Sequence, residues 1–107
     1  MATQGALTVT AANLNNTGGV LSSGGAQTLT VTGTLQNGAQ GLIDAKGTLT
    51  VNAGQYANGG TTQAQQALSV SADNLDNSGG TLSGQAAVTL DLLGALTNSG
   101  GGRAGPG

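Results

Sequence analysis

The stretch LTVTAANLNNTGGVLS (residues 7–22) returns as LSVSADNLDNSGGTLS (residues 68–83), and a constant shift of 61 residues aligns the two copies without a gap. Extended to residues 5–41 and 66–102, the alignment holds 18 identities in 37 positions. Self-similarity at a fixed period indicates a repeat architecture, in which each unit packs against its neighbours along the chain. The repeat therefore says more about the fold than any single motif in this sequence does.

A shorter unit within each copy begins with an alternating apolar pair, as in Leu7-Thr8-Val9-Thr10. Strict alternation with β-branched neighbours is the period of a strand that buries one face. Glycine occupies 21 positions, too many for long uninterrupted helices. The pairs are Leu7/Val9, Leu29/Val31, Leu49/Val51, Leu68/Val70 and Leu90/Leu92, at spacings of 22, 20, 19 and 22 residues.

Two further apolar positions and an asparagine complete the unit. The second apolar position is filled by Leu14, Leu35, Tyr56, Leu75 and Leu96, and the third by Leu21, Ile43, Thr62 and Leu82. Between these two positions stand Asn16, Asn37, Asn58, Asn77 and Asn98. Asparagine and the glycines that follow it tolerate positive φ and permit sharp corners. Each unit is thus predicted to contain three short strands separated by corners.

Stacked units of this kind predict an all-β fold, a parallel β-solenoid of about five coils of 19–22 residues. The apolar positions named above form its interior columns, and the spacing of the pairs places Leu7, Leu29, Leu49, Leu68 and Leu90 in one of them. Residues 61 apart are expected three coils apart on one face. Tyr56 and Thr62 mark the third coil as the least regular, so looser packing or a bulge is expected there.

The same pattern predicts how the chain is divided. Residues 1–4 are a lead-in, residues 5–102 are the repeat segment, and residues 103–107 are a linker or frayed end. No polar cap covers either end of the repeats, although exposed parallel edges template further pairing. The segment is therefore expected to be a fragment of a longer array.

The composition argues against several classes of function. Six charged residues and a net charge of −2 predict no nucleic-acid partner. The sequence contains no His, Cys, Glu, Phe or Trp, so no catalytic residue, cofactor site or metal site is expected. The calcium-binding Gly-Gly-x-Gly-x-Asp repeat is missing. No apolar run approaches the roughly 18 residues of a membrane span, and no secretory signal is visible, so membrane insertion is not expected.

Three polar patterns have both a structural and a functional interpretation. The asparagine column is interpreted as a structural amide ladder between coils. Thr8, Thr30, Thr50 and Ser69 are predicted to form an outward column beside Thr10, Thr32 and Ser71. Threonine suits any solvated strand face, but regular arrays of it also occur on ice-binding solenoids. Asp73 and Asp76 are interpreted as corner substitutions rather than a sugar-cleaving pair.

The phrases NLNNTGG (residues 13–19) and NLDNSGG (residues 74–80) resemble filamentous haemagglutinin repeats, since each is preceded by an alternating Leu/Val strand and followed, after one residue, by Leu-Ser. The resemblance covers residues 5–102, and QYANGG (residues 55–60) departs from it most. It implies a right-handed parallel β-helix in the shaft of a large secreted or cell-surface protein of Gram-negative bacteria. Such shafts belong to adhesins and to contact-dependent growth-inhibition toxins, which are exported by two-partner secretion.

The resemblance also sets the expected function and partners. The segment is expected to be a structural shaft whose immediate partners are the neighbouring coils of its own parent chain. An outer-membrane secretion partner and a receptor on a host or target cell would act through the parent protein. Two alternatives remain open: a solenoid that binds glycans, or ice, along its outward Thr, Ser and Asn faces, and a fibre that self-assembles through uncapped ends.

Overall fold

The computed structural model describes residues 2–38, 40–77, 79–94, 96–97 and 103–105. Thirteen β-strands and no helix occur in these residues. The strands are β1 (Ala2–Thr3), β2 (Leu7–Ala11), β3 (Leu14–Asn15), β4 (Val20–Ser23), β5 (Gln27–Asn37), β6 (Leu42–Ala45), β7 (Leu49–Asn58), β8 (Thr61–Ala64), β9 (Ala67–Asp76), β10 (Thr81–Gly84), β11 (Ala87–Leu92), β12 (Leu96–Thr97) and β13 (Arg103–Gly105). Nowhere in the described ranges is a helix long and apolar enough to cross a membrane.

The strands form two parallel sheets that the chain visits in turn. One sheet has the order β1-β4-β6-β8-β10-β13, and the other has the order β2-β5-β7-β9-β11, with β3 beside β5 and β12 beside β9. Because every strand pairs with its equivalent in the next coil, the backbone groups are satisfied between coils. The fold is a β-solenoid of about four turns. These turns connect five stacked layers, which contain β2, β5, β7, β9 and β11. The fold class predicted from the sequence is confirmed.

Each coil consists of three segments. The first segment is β2, β11 or the leading part of β5, β7 and β9. The second is β3, β12 or the trailing part of those three long strands. The third is β4, β6, β8 or β10. Alternate residues of each segment point inward, as the buried Leu49 and Val51 of β7 and the buried Ile43 and Ala45 of β6 illustrate.

The 61-residue relation holds in the structure. Leu7 pairs with Gln27, Gln27 pairs with Leu49, and Leu49 pairs with Leu68. Leu7 and Leu68 therefore lie three coils apart on one face, as predicted. The second and third apolar positions also stack as predicted, as Leu14 does on Leu35 and Leu21 on Ile43.

The predicted stacking of the alternating pairs was wrong by two residues in the second and fifth coils. Leu29 stacks on Val9 and Val51 rather than on Leu7 and Leu49. Likewise, Leu90 stacks on Val70 rather than on Leu68. Two columns result, which we name after their first members. The Leu7 column contains Leu7, Gln27, Leu49, Leu68 and Val88, and the Val9 column contains Val9, Leu29, Val51, Val70 and Leu90.

The reason is that the turn between the third segment and the next coil is itself stacked. Gly25 N donates to Gly5 O at 3.2 Å, and Gly47 N donates to Gly25 O at 3.1 Å, so this turn repeats from coil to coil. It leaves no room for the two extra residues that the predicted register would place there. The extra residues enter at the other corners, one of them between Val31 and Thr34.

A bulge accommodates one of the extra residues, and it lies in the second coil rather than in the third coil where it was expected. The register shifts between Val31 and Thr34, and Gly33 N donates to Ala12 O at 2.7 Å. A Cβ on Gly33 would lie 2.7 Å from the backbone oxygen of Ala12, too close for a side chain without a backbone shift. The feature recurs 61 residues later, where Gly94 N donates to Asp73 O at 2.6 Å.

Most of the predicted interior residues are buried, and the exceptions lie in the outermost layers. Leu29, Leu35, Ile43, Leu49 and Val51 are each 1% exposed or less. Leu21, Val31, Tyr56, Leu68, Val70, Leu75 and Leu82 are also buried, as is Leu7. Val9, Leu14, Leu90 and Leu92 are partly buried, and Leu96 is 48% exposed. Leu96 is therefore a correction to the predicted core: it pairs with Leu75 on one side, and the described residues place no further layer beyond it.

Candidate functional site: the asparagine ladder and the outward hydroxyl face

Four asparagines stack inside one corner of the solenoid and bond to each other along its axis. Asn16 Nδ2 donates to Asn37 Oδ1 at 2.9 Å, and Asn37 Nδ2 donates to Asn58 Oδ1 at 2.9 Å. Asn58 Nδ2 then donates to Asn77 Oδ1 at 2.8 Å. We call these four residues the asparagine ladder. Asn98, the fifth predicted member, lies outside the described residues.

The second amide hydrogen of each of the first three rungs bonds to the backbone of the third segment one coil further on. Asn37 Nδ2 donates to Thr61 O at 2.9 Å, and Asn58 Nδ2 donates to Thr81 O at 3.0 Å. Asn16 Nδ2 donates to Leu42 O at 3.0 Å in the same way. Each amide therefore ties the second segment of its own coil to the second and third segments of the next. An amide is suited to this position because it donates twice and accepts on one side chain.

The corner around the ladder is built by glycine. Gly18 and Gly79 have φ of 71° and 73°, a left-handed conformation that favours glycine. Gly19 N donates to Asn16 O at 3.0 Å, and Gly80 N donates to Asn77 O at 3.1 Å. The repeated Asn-x-Gly-Gly sequence is thus a turn that aims the asparagine inward.

The third coil replaces two leucine positions by a hydrogen-bonded pair. Tyr56 stacks on Leu35 and Leu75, and Thr62 stacks on Ile43 and Leu82. The Tyr56 hydroxyl and Thr62 Oγ1 are hydrogen-bonded inside the core. Thr62 Oγ1 also donates to Asn58 Oδ1 at 3.0 Å, which joins the pair to the ladder.

The large phenol and the small threonine occupy facing positions, and both are buried, at 1% and 0% exposed. Burial raises the pKa of the Tyr56 hydroxyl far above its ordinary value, and the hydrogen bond with Thr62 opposes part of that rise. The two residues that marked this coil as irregular are therefore mutually compensating. Looser packing in this coil stays a prediction, while both side chains are buried and hydrogen-bonded there.

Gln27 is a second polar intrusion, and its hydrogen bonding is incomplete. It is fully buried in the Leu7 column, between Leu7 and Leu49. Its Nε2 donates to Asp44 O at 3.2 Å, whereas its Oε1 is buried without a hydrogen-bond partner. The sequence pattern missed Gln27 because the assumed register placed it in a corner.

An unbroken column of hydroxyl side chains lies on the outward face of the first segment. It consists of Thr8, Thr28, Thr50, Ser69 and Thr89, which pair in this order. Successive members lie about 4.8 Å apart, the spacing of neighbouring strands. The predicted column was wrong at Thr30, which stacks between Thr10 and Asn52. Thr28 and Thr89 belong to the column but were not predicted, because of the same two-residue error in register.

A groove of about 460 Å³ runs beside this face, at the corner between the first and second segments. Its lining includes Asn52, Ser71 and Asp91 on the first segment. It also includes Asp73, the residue whose carbonyl accepts from Gly94 N. Thr32, predicted in the outward array, also lines the groove. Asp73 and Asp76 are both exposed. Among the residues that the structure describes, no group of three or more His, Cys, Asp or Glu could hold a metal ion.

The comparison with protein families is decisive once this repeating corner is established. The family model for the haemagglutinin repeat matches residues 2–39 and 44–100. The chain belongs to the haemagglutinin repeat family. As a haemagglutinin repeat it is a segment of a secreted adhesin-type protein, a class found outside the cell or on its surface. The comparisons with curated proteins and with solved structures each found no match.

Proposed function

We propose that this segment is a stiff spacer in the shaft of its parent protein, and that it holds a distal domain away from the secreting cell for adhesion or for toxin presentation. The asparagine ladder is the observation that carries the proposal. Its side-chain bonds run along the axis and add to the backbone bonds between coils, so that bending the rod would strain both sets at once. A continuous apolar core beside the ladder supports the same role.

In this proposal the segment has no catalytic role and no cofactor, and recognition is left to other parts of the parent protein. A secretion partner in the outer membrane would deliver the chain, and a receptor on a host or target cell would be bound by a distal domain. Each coil pairs with the preceding one, so the chain can fold progressively as it emerges.

Removal of one complete 61-residue period from the parent protein tests the spacer role. Deleting residues 7–67 joins Ala6 to Leu68, which recreates the Ala67–Leu68 junction with every column in register. We expect a folded, secreted protein whose shaft is shorter by about 14 Å, three coils of about 4.8 Å each. Electron microscopy of the shaft measures the change.

The matched control removes one residue more. Deleting residues 7–68 shifts the alternation by one, so inward and outward side chains exchange places beyond the junction. We expect this variant to lose surface display. Equal behaviour of the two deletions would contradict the register, and a folded 61-residue deletion that leaves the distal domain at an unchanged distance would contradict the spacer role.

The hydroxyl column favours a second candidate function, binding of a glycan or of ice along the outward face. Five hydroxyl side chains at regular spacing offer a periodic set of donors and acceptors, and the adjacent groove adds Asn52 and Asp91. Tyr56, the one aromatic residue of the sequence, is buried, so a sugar ring could not stack on it. Recognition would therefore rest on hydrogen bonds.

Replacing Thr50 by Lys in the middle of the column tests this candidate. Because the side chain points outward, we expect the fold to persist while glycan-array binding or thermal hysteresis is lost. Blank results for the unmodified chain in both measurements would refute the candidate. Lysine at Thr81, which lies half-exposed on the other sheet, is the matched control and should leave any binding unchanged.

A further inference from the structure

Both Asn-Gly sequences of this chain fall within the asparagine ladder. They are Asn37-Gly38 and Asn58-Gly59, whereas the other two rungs precede Thr17 and Ser78. A glycine that follows asparagine has no Cβ to hinder its peptide nitrogen and has the widest backbone freedom. That nitrogen can therefore approach the asparagine side-chain carbon more readily than in any other Asn-X sequence.

We propose that Asn37 and Asn58 are deamidation sites that react only while the chain is not coiled, and that the reaction removes the chain irreversibly from the pool able to fold. The peptide nitrogen of the glycine attacks Cγ of the asparagine and loses its proton. The new N–Cγ bond closes a succinimide, the Cγ–Nδ2 bond breaks, and ammonia leaves. Solvent water then opens the ring to aspartate or isoaspartate.

The folded ladder blocks the first step by holding the reacting groups in place. Asn58 Nδ2 donates to Asn77 Oδ1 and to Thr81 O, while its Oδ1 accepts from Asn37 Nδ2 and from Thr62 Oγ1. Rotation of Cγ towards the next peptide nitrogen would break all four hydrogen bonds. Asn58 is also only 1% exposed, so water cannot readily reach the ring carbon.

Asn37 is held in the same way. Its Nδ2 donates to Asn58 Oδ1 and to Thr61 O, its Oδ1 accepts from Asn16 Nδ2, and it is fully buried. Its backbone is fixed as well, because Asn37 O accepts from Gly60 N at 2.8 Å. Reaction at either site therefore requires opening of the corner.

The products cannot rebuild the ladder. Aspartate at position 58 would keep its acceptors but lose both donors, so a buried carboxylate would face Asn77 Oδ1 and Thr81 O without a hydrogen between them. Isoaspartate would in addition lengthen the backbone at the corner. A chain exported unfolded is open to this reaction until it coils, so slow folding would be converted into permanent loss.

Peptide mapping by mass spectrometry after parallel incubation of the chain in native buffer and in denaturant at the same mildly alkaline pH tests the proposal. We expect conversion at Asn37 and Asn58 to be slower in the folded chain by on the order of 100-fold or more, because it requires local opening. In denaturant both sites should convert well before Asn16 and Asn77. Equal rates in the two states, or equal rates at all four rungs in denaturant, would overturn the proposal.

Gly59→Ser supplies the internal control, since Gly59 is exposed and the comparison is made in denaturant. In denaturant the variant should slow conversion at Asn58 and leave Asn37 unchanged. Unchanged conversion at Asn58 would count against the mechanism.

The consequence for folding is read from the refolded fraction. After partial reaction and removal of the denaturant, we expect chains converted at either site to be depleted at least tenfold from the folded fraction, in keeping with an unpaired buried charge. Asn15→Asp is the matched control for added charge. Asn15 is exposed and its Oδ1 accepts from Thr17 N at 3.0 Å, a bond that aspartate keeps, so this variant should refold. Undepleted converted chains would overturn the second half of the proposal.

Discussion

Two polar intrusions into the core, the Tyr56–Thr62 pair of the third coil and Gln27 of the second, have opposite outcomes. In the third coil Tyr56, Thr62 and Asn58 bond to one another, so no polar atom of the cluster is left without a partner. In the second coil Gln27 stands alone in a leucine column, with Oε1 unpaired. A repeat protein tolerates a departure from its pattern when neighbouring columns change together. A departure in one column alone leaves a desolvation cost that the next coil does not remove.

The largest effect on stability should come from replacing Asn58, which joins the cluster of Tyr56 and Thr62 to the asparagine ladder. Asn58→Leu removes two donated and two accepted hydrogen bonds inside the core. Asn37 Nδ2, Thr62 Oγ1 and Thr81 O each lose one hydrogen-bond partner. We expect a loss of about 4 kcal/mol in the free energy of unfolding. Denaturant unfolding followed by circular dichroism measures it. Asn15→Ala is the control, expected to cost about 0.5 kcal/mol, and similar losses in both variants would contradict the role of the ladder.

Changing the cluster one member at a time and then together should reveal the compensation. Thr62→Leu beside an intact Tyr56 overfills the core and removes the phenol's partner, for a loss of about 2 kcal/mol. Tyr56→Leu alone leaves a cavity, for a loss of about 3 kcal/mol. The double variant reproduces the leucine pair of the fourth coil, Leu75 and Leu82, and should lie within about 1 kcal/mol of the parent chain. Additive losses in this double-mutant cycle would show that the two positions are not coupled.

Removing the unsatisfied intrusion should stabilise the protein. Gln27→Leu eliminates the unpaired Oε1 and continues the apolar Leu7 column, so we expect a gain of about 2 kcal/mol. Val88→Gln, 61 residues later, makes the reverse change at a half-buried position and should cost stability. A loss of stability in Gln27→Leu would mean that its bond to Asp44 O outweighs the burial of Oε1.

Titration of Tyr56 gives the smallest effect. Its pKa is raised in the folded state, so the neutral hydroxyl contributes stability that is fully present below the unfolded pKa of about 10 and is lost as pH rises through the folded pKa. At about one unit above the unfolded pKa we expect a loss of about 1.4 kcal/mol. Unfolding measured against pH tests this, with phenolate absorbance as a direct readout because the sequence has one tyrosine. Tyr56→Phe should lack the dependence, and its persistence there would assign it to another group.

Much of the fold could be predicted from the residues because the pattern repeats. Alternation in Leu7-Thr8-Val9 and the Asn16 corner recur often enough to indicate stacked strands, a common core and the 61-residue relation. The exact partners of Leu29 and Leu90 could not be predicted, because a two-residue shift preserves the inward and outward alternation. The hydrophobic pattern alone therefore fits both registers. The same ambiguity led to the wrong members of the outward hydroxyl column.

The sequence by itself determined the period and the corners, since these depend on which residue types recur and at what spacing. The tertiary structure decided which coil takes up each extra residue, because that choice depends on hydrogen bonds such as Gly25 N to Gly5 O between turns far apart in the chain. It also decided that Tyr56 and Thr62 act together. Their contact joins two columns of one coil across the core, a direction that a pattern read along the chain does not contain.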